Sequence, residues 1–311
     1  MDLAQRIAAG KGDFVLFALT PPRQSTPVER LPEIARATIE RLDHLDLDGL
    51  ILYDIDDESS RNPAERPFPF SPTVDPSAYR AEHFASWGRP VIVYRAVGKY
   101  QPEGLRTWLA EQDAGQTLTV MVGAASSGTT APLSLADAQA LRAEANPDLL
   151  LGGVAIPERH RRRDNEHLRL IAKQEAGCRF FVTQVVYDVN AAKNLVSDYR
   201  YACTERGTAP VPIVFTFSVC GSMRTLEFLR WLGVDVPRWI ENDLRHATNP
   251  LRASLEQSAA TAAELVDFCR RLDVPFGLNV ESVSIRREEI EASVELAARL
   301  TEMLRVTPDV R

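Results

Sequence analysis

Short apolar runs alternate along the chain with stretches in which apolar residues recur at helical spacing. Eight of these runs are apolar on both faces and too short to be helices, which is typical of buried parallel strands. They cover residues 13–20, 50–53, 90–94, 118–122, 148–155, 179–183, 212–217 and 276–280. Helical patterns separate nearly all of them, and eight such units in one chain predict a closed (β/α)8 barrel of the TIM type.

The alternative to this barrel is an open, doubly wound parallel sheet. Such a sheet normally carries a glycine-rich fingerprint after its first strand. Here the first run ends in the sequence TPPR, residues 20–23, which favours the barrel. We expect a single barrel domain over residues 1–311.

Two segments exceed what a minimal barrel needs. Residues 222–271 predict three extra helices between the seventh and eighth strands. Residues 54–88, rich in Pro, Asp and Phe, are too long for a simple connection between the second and third strands. The sequence PFPF at residues 67–70 favours an ordered cover over a flexible linker.

Composition narrows the class of protein. The net charge is −7 with acids and bases interspersed, which argues against a nucleic-acid partner because that would need a basic face. No apolar run approaches the length of a membrane span, and the N-terminus lacks a signal-peptide pattern. The four cysteines form no C-x-x-C pair, so we expect reduced, packed thiols. A cytoplasmic protein that acts on a small molecule is the expectation.

Candidate site residues follow the strands, because the site of such a barrel lies at the carboxyl ends of its strands. The side chains there offer amides, hydroxyls and carboxylates without a metal-binding cluster, so we expect a polar organic ligand and no metal. The predicted ligand contacts are Gln184, Tyr187, Asn279 and Glu281. The Gln184 amide suits a heterocycle edge such as a pterin, although a cap on the next helix would explain it equally well.

Charged groups mark two further places. Asp54 and Asp56 lie in a crowd of carboxylates after the second strand; such groups raise one another's pKa and can make a general acid, although an acidic surface loop is the alternative. His160 stands beside three arginines. They could attract phosphate or a polyglutamate tail, or they could be a solvated helix start.

The order of the motifs resembles methylenetetrahydrofolate reductases over almost the whole chain. The resemblance rests on PPR after the first strand, LRTWL at 105–109, AIPERH at 155–160, Thr183-Gln184, and PFGLNVESVS at 275–284. It implies a barrel that reduces the methylene group of 5,10-methylenetetrahydrofolate to a methyl group. In the common form NAD(P)H reduces a bound FAD, which then passes hydride to the folate, and Gln184 inherits the pterin contact. The residues that match the cofactor side are His160, Glu166, Lys173 and Thr183.

The chain departs from that family at two positions. Ala18 stands where the family carries a proton-donating Glu, three residues before the Pro-Pro, and Gly123-Ala124-Ala125 replaces an Arg-Gly-Asp type segment. We therefore predict Asp54 or Asp56 as the substitute acid, because the second strand borders the first. FAD is open to question, since a flavin-free form with direct hydride transfer from the nicotinamide is known in this broad superfamily.

Other functions remain open on the same resemblance. The chain could be a folate-binding component of a methyl or methylene transferase, or a non-catalytic folate-binding subunit, or a barrel that has exchanged folate for another ligand. A homo-oligomer or a partner subunit also stays open.

Overall fold

A closed barrel of eight parallel strands forms the centre of the protein in this computed structural model, which describes residues 1–59, 62–123 and 132–305. Each strand pairs with its neighbours in sequence, and β1 closes the ring against β8. The strands are β1 Phe14–Leu19, β2 Gly49–Leu52, β3 Val91–Ala96, β4 Thr117–Val122, β5 Leu151–Ala155, β6 Cys178–Val185, β7 Ile213–Ser218 and β8 Phe276–Glu281. The predicted (β/α)8 fold is confirmed, and each predicted strand overlaps an observed one.

Helices cover the outside of the ring. They are α1 Leu3–Ala8, α2 Arg30–Leu42, α3 Pro76–His83, α4 Pro102–Ala110, α5 Leu135–Ala145, α6 Pro157–Arg163, α7 Glu166–Glu175, α8 Val189–Glu205, α9 Met223–Trp231, α10 Arg238–His246, α11 Pro250–Leu272 and α12 Arg287–Arg305. The helices predicted between the last two strands are α9, α10 and α11. Asp188 caps α8 by accepting from the backbone N–H groups of Asn190 and Ala191.

The lower half of the barrel is filled by aromatic rings. A Cβ atom at Gly277 would overlap the ring of Phe14, and one at Gly152 would overlap the ring of Phe180. Both rings need glycine opposite them because the interior is close-packed. Helix α1 packs Leu3, with other side chains, against the same interior cluster. The amino end of the barrel is therefore closed, which leaves the carboxyl end for a ligand.

Residues 62–70, here called the Pro-Phe strap, pack against α9. The Asn62 amide donates to the carbonyl of Trp231 at 2.9 Å, and the Trp231 indole N–H donates to the carbonyl of Ala64 at 2.8 Å. The Arg66 guanidinium lies 4.8 Å from the centre of the Trp231 ring and 5.3 Å from that of Phe228. The strap thus connects the loop after β2 to the helix after β7, in agreement with the ordered cover expected from PFPF.

The cysteines and the helices agree with two other expectations from composition. All four cysteines are buried and unpaired. No helix in the described part of the chain combines the length and the apolar character that a bilayer span requires.

Candidate functional site

An acid stands inside the open end of the barrel, on β8. The Tyr53 hydroxyl donates to Oε2 of Glu281 at 2.5 Å. The amide of Asn279, two residues before Glu281 on the same strand, donates to the Tyr53 oxygen at 3.4 Å and to the Thr216 hydroxyl at 3.2 Å. The Tyr94 ring meets the Tyr53 ring edge-on at 4.9 Å. These contacts hold the carboxyl in place through Oε2, and its second oxygen makes no hydrogen bond to the residues that the structure describes. Two predicted ligand contacts, Asn279 and Glu281, therefore come together.

The environment of Glu281 changes its acidity. Burial disfavours the charged carboxylate and raises its pKa to about 7, although the hydrogen bond from Tyr53 opposes part of this effect. The side chain is still partly accessible at the barrel mouth. A carboxyl that titrates near neutrality and can be reached by a ligand is suited to general acid or base catalysis.

Glu281 is the register partner of Ala18. The parallel ladder between β1 and β8 pairs these two residues, so their side chains lie on the same face of the sheet. Ala18 belongs to the interior cluster with Phe14 and Leu16. The side chain of Glu281 therefore stands beside Ala18, on the neighbouring strand, near the top of the barrel interior.

The carboxylate of Asp54 is engaged elsewhere. It accepts from the backbone N–H of Ala96 at 2.8 Å, from the Lys99 ammonium at 2.5 Å and from the Tyr100 hydroxyl at 2.6 Å. Its side chain has no exposed surface. Asp54 thus fixes the segment after β3. Asp56 is exposed in the loop and accepts from the backbone of Asp57. The structure does not bring either carboxyl to the group around Glu281, and their proposed role as acids stays a prediction.

Gln184 lies at the carboxyl end of β6 and lines a cavity of about 400 Å³. Its amide nitrogen donates to the carbonyl of Leu232 at 2.7 Å, which leaves the amide oxygen for a ligand. Tyr187, three residues on, is buried, and its hydroxyl donates to the carbonyl of Ser218 at 3.0 Å. Of the two predicted contacts on this side, only Gln184 faces the cavity.

A second buried acid and a group of arginines line the same cavity. Glu158, at the start of α6, is 3% exposed, and its Oε2 has no hydrogen-bond partner within the described residues. Burial raises the pKa of Glu158 to about 7, against a lowering contribution from Arg162. The other lining residues are Ile156, Arg159, Arg162, Arg163, Arg169 and Gly233. The sequence analysis gave Glu158, within the motif AIPERH, no role of its own because its spacing gives no sign that the side chain turns inward.

Comparison with known proteins shows the family to which the chain belongs. Residues 122–276 match the model of a family described as methylenetetrahydrofolate reductase. A solved structure, an uncharacterized protein from Clostridium thermocellum that binds two copies of 5-methyl-5,6,7,8-tetrahydrofolic acid, is 42% identical with a TM-score of 0.85; the match covers 97% of this chain and 99% of that one. This chain belongs to the methylenetetrahydrofolate reductase family.

More distant matches support the barrel alone. The chain shares 11% identity with EDTA monooxygenase from Chelativorans sp. BNC1, at a TM-score of 0.50 over 95% of each chain. It also shares 11% identity with a GH113 β-1,4-mannanase, at 0.53 over 94% of this chain and 99% of that one. A comparison with curated proteins gave no match.

Two residues that resemble flavin contacts of the family are held by the protein itself. The ring Nε2 of His160 lies 3.0 Å from a carboxylate oxygen of Asp198, and the His160 side chain is buried. The fully buried Glu166 pairs with Arg159 at 3.1 Å and accepts from the backbone N–H of Ile156 at 3.2 Å. These contacts join α6 to α7 and α8.

The other two flavin-side residues are held in the same way. Lys173 donates to the carbonyl of Val154, and burial lowers the pKa of its ammonium group. The Thr183 hydroxyl accepts from the backbone N–H of Thr216 at 3.0 Å. Each of the four side chains is thus held by a protein partner, which favours a structural role over a flavin contact, although Nδ1 of His160 has no partner among the described residues. The family's strand-four segment corresponds here to Gly123 followed by Ala124 and Ala125, and these two alanines lie outside the described residues.

Helix packing also brings together a group with metal-ligating atoms. His160, His167 and Asp198 place one such atom each within 4.8 Å of one another. The sequence analysis, which expected no metal, missed this group because its members lie on three different helices. Burial, the largest cause, and the neighbouring His160 lower the pKa of His167, and the carboxylate of Asp198 opposes this shift.

Proposed function

We propose that this protein binds a reduced folate at the Glu281 side of the barrel mouth and reduces 5,10-methylenetetrahydrofolate to 5-methyltetrahydrofolate with hydride taken directly from NAD(P)H. The observation that carries the proposal is the position of Glu281, which stands beside Ala18 in the top layer of the barrel. The related Clostridium thermocellum protein, which binds the 5-methyl form, supports the ligand class.

Glu281 acts as the proton donor in this proposal. The bond between the methylene carbon and N10 breaks, its electron pair goes to N10, and N10 takes the proton of the Glu281 carboxyl. The methylene carbon is left as an iminium on N5. NAD(P)H then supplies a hydride to that carbon, which gives the methyl group and NAD(P)⁺. Solvent returns a proton to Glu281, and a pKa of about 7 suits both transfers.

Direct transfer is proposed because the flavin-side residues are already occupied. His160 and Glu166 hold helices together, and Lys173 and Thr183 bind backbone groups of neighbouring strands. With no flavin between them, nicotinamide and folate must meet in the barrel mouth. The ring of Tyr53, which is partly exposed beside Glu281 and is supported edge-on by the buried Tyr94, offers a surface for stacking.

The test measures turnover without added flavin. We expect purified protein to oxidise NADH or NADPH when 5,10-methylenetetrahydrofolate is added, and to form one 5-methyltetrahydrofolate for each nicotinamide oxidised, measured by mass spectrometry. Glu281→Gln should lower kcat by about 10² to 10⁴, the typical contribution of a positioned acid, and should keep the affinity for 5-methyltetrahydrofolate. The proposal fails if neither nicotinamide reacts, or if turnover appears only when FAD is supplied.

A second candidate is folate binding without hydride chemistry, as a transferase component or a non-catalytic subunit. Ala18 favours it, because the usual acid of the family is missing there. Tight binding of 5-methyltetrahydrofolate with no oxidation of either nicotinamide would select this candidate.

A further inference from the structure

We propose that His160, His167 and Asp198 form a binding site for a zinc ion in the helical layer that surrounds the barrel. The three residues lie on α6, α7 and α8, so that a bound ion would connect three helices at one point. This inference goes beyond the proposed reaction and does not rest on it, because none of the three side chains belongs to the hydrogen-bonded group around Glu281.

The three ligand atoms are already close together. Nε2 of His160 lies 3.0 Å from Oδ2 of Asp198. The His167 ring meets the His160 ring edge-on, with 5.2 Å between the ring centres. One ligand atom from each residue lies within 4.8 Å of the other two. Ligand atoms around a tetrahedral zinc ion are about 3.4 Å apart, given bonds of roughly 2.0–2.1 Å to nitrogen and oxygen, so small side-chain rotations would complete the site.

The ring of His167 is available to a metal ion. It forms no hydrogen bond with the residues that the structure describes, and its Nδ1 is a buried atom without a partner among them. A buried polar atom that lacks a partner is costly to the folded protein. His167 is partly exposed and Asp198 is exposed, so an ion can reach both side chains from solvent, and both can turn toward it without disturbing the core.

The donor set favours zinc over the other common divalent cations. Two imidazole nitrogens and one carboxylate oxygen, with water in the fourth position, form an ordinary zinc coordination sphere. Calcium and magnesium prefer sites made of oxygen atoms. Zinc would replace the hydrogen that Nε2 of His160 shares with Asp198. Of the charges that act on His167, those of Asp198 and Asp164 favour a cation and that of Arg206 disfavours one.

A bound ion would fasten α6, the shortest of the three helices, to α8. Helix α6 has 7 residues, and its His160 precedes Asp198 by 38 positions in the chain. Because zinc would bind the folded chain, it should raise the melting temperature by mass action. Nδ1 of His160 has no acceptor that would orient the ring. Such outer partners raise metal affinity by about 10- to 100-fold, so we expect micromolar affinity here.

Calorimetric titration with zinc chloride tests the site, in the whole protein after dialysis against EDTA. We expect wild-type protein to bind one equivalent with micromolar affinity. Zinc at 100 times the dissociation constant should raise the melting temperature by roughly 5 °C, and magnesium chloride should not. His167→Ala and Asp198→Asn should each weaken zinc binding at least tenfold. Both residues are at least partly exposed, so both variants should fold, which thermal unfolding without metal checks.

The matched control is His246→Ala, which removes an exposed histidine from the last turn of α10 and should bind zinc as wild type does. The site does not exist if wild-type protein shows neither saturable binding of zinc nor a thermal shift. It is also wrong if His167→Ala and Asp198→Asn bind zinc as tightly as His246→Ala, because the ion would then lie elsewhere. Oxidation of nicotinamide is measured separately without zinc, so neither outcome bears on the proposed reaction.

Discussion

Ala18 on β1 and Glu281 on β8 are register partners in adjacent parallel strands; Ala18 packs in the barrel interior, and Glu281 accepts from Tyr53, which packs against the same cluster. Position 18, where the family carries its acid, and position 281, which carries a glutamate here, therefore lie side by side on adjacent strands in the same layer. The distance between paired positions on adjacent strands is about 5 Å, which the length of a glutamate side chain can bridge.

This relationship predicts that the acid can be moved from position 281 on β8 to position 18 on β1. The double variant Ala18→Glu/Glu281→Ala keeps the carboxyl and approximately the same side-chain volume in one layer. We expect it to recover at least a tenth of the wild-type kcat for folate reduction, whereas Glu281→Ala alone loses about 10² or more. Recovery that is no greater than in Glu281→Ala would show that the position on β8 is essential.

Asp54→Asn should act on stability. The buried carboxylate accepts from the partly exposed Lys99 ammonium and from two other donors, and an amide in its place leaves buried donors without an acceptor. We expect a loss of about 3 kcal/mol in the free energy of unfolding, measured by urea denaturation. Folate affinity and kcat, measured under conditions where the variant is folded, should stay within threefold of wild type. A fall in kcat as large as that of Glu281→Gln would return the role of acid to Asp54.

Turnover should fall at high pH. Glu281 must be protonated to act as a donor, and burial raises its pKa to about 7. We expect kcat/KM for 5,10-methylenetetrahydrofolate to be constant well below pH 7 and to fall tenfold per pH unit well above it. The Glu281→Gln variant should lack this step. A profile for wild type that is flat between pH 6 and pH 9 contradicts the assignment.

The pH dependence of the free energy of unfolding should also report the titration of the Glu281 carboxyl. The pKa of Glu281 is raised from 4.5 to about 7 in the folded protein, so the folded state holds the proton more tightly and loses this advantage as pH rises between those values. Glu281→Gln cannot titrate. The free energy of unfolding of the variant should therefore rise relative to wild type by roughly 1–2 kcal/mol from pH 5 to pH 8, allowing for partial exposure. Glu158 titrates in both proteins and cancels in the comparison.

The packing of the Pro-Phe strap against α9 should depend on Arg66. Its guanidinium lies over Trp231 and Phe228, and such contacts contribute about 0.5–2 kcal/mol each. In Arg66→Ala we expect faster proteolysis between residues 62 and 70, read from peptide masses, with little change in global unfolding. Arg106→Ala is the control, because Arg106 pairs with Glu144 on the outside of the barrel. Equal proteolysis rates in the two variants would contradict the role of the stack.

The sequence predicted the architecture because each strand is a local signal. Runs such as 118–122 are apolar on both faces wherever they occur, and a parallel sheet covered by helices is the fold that buries such runs. Gln184 and Glu281 could be predicted to lie at the barrel mouth for a similar reason, because both stand at the carboxyl ends of strands.

The partners of these residues could not be predicted in the same way. Asp54 also follows a strand, but its side chain turns to Lys99 and Tyr100 and away from the group around Glu281. Glu158 is drawn inward by the packing of α6, and His160 binds Asp198, 38 positions later in the chain. Contacts of this kind depend on how helices pack and on which face of a strand end a side chain leaves, and neither is encoded in a short stretch of sequence.

The rings of Phe14 and Phe180 fill the lower half of this barrel so closely that larger side chains cannot be introduced opposite them. New reactivity in such a molecule can arise only where side chains can be replaced without disturbing the packing, at the carboxyl ends of the strands. Because the barrel is closed, every strand has a neighbour on both sides. A group lost from one strand end can then reappear on either neighbour through two ordinary substitutions. Families of this architecture should therefore be compared by the layer of the barrel in which a side chain lies as well as by aligned position, because a group with the same role can lie on a neighbouring strand.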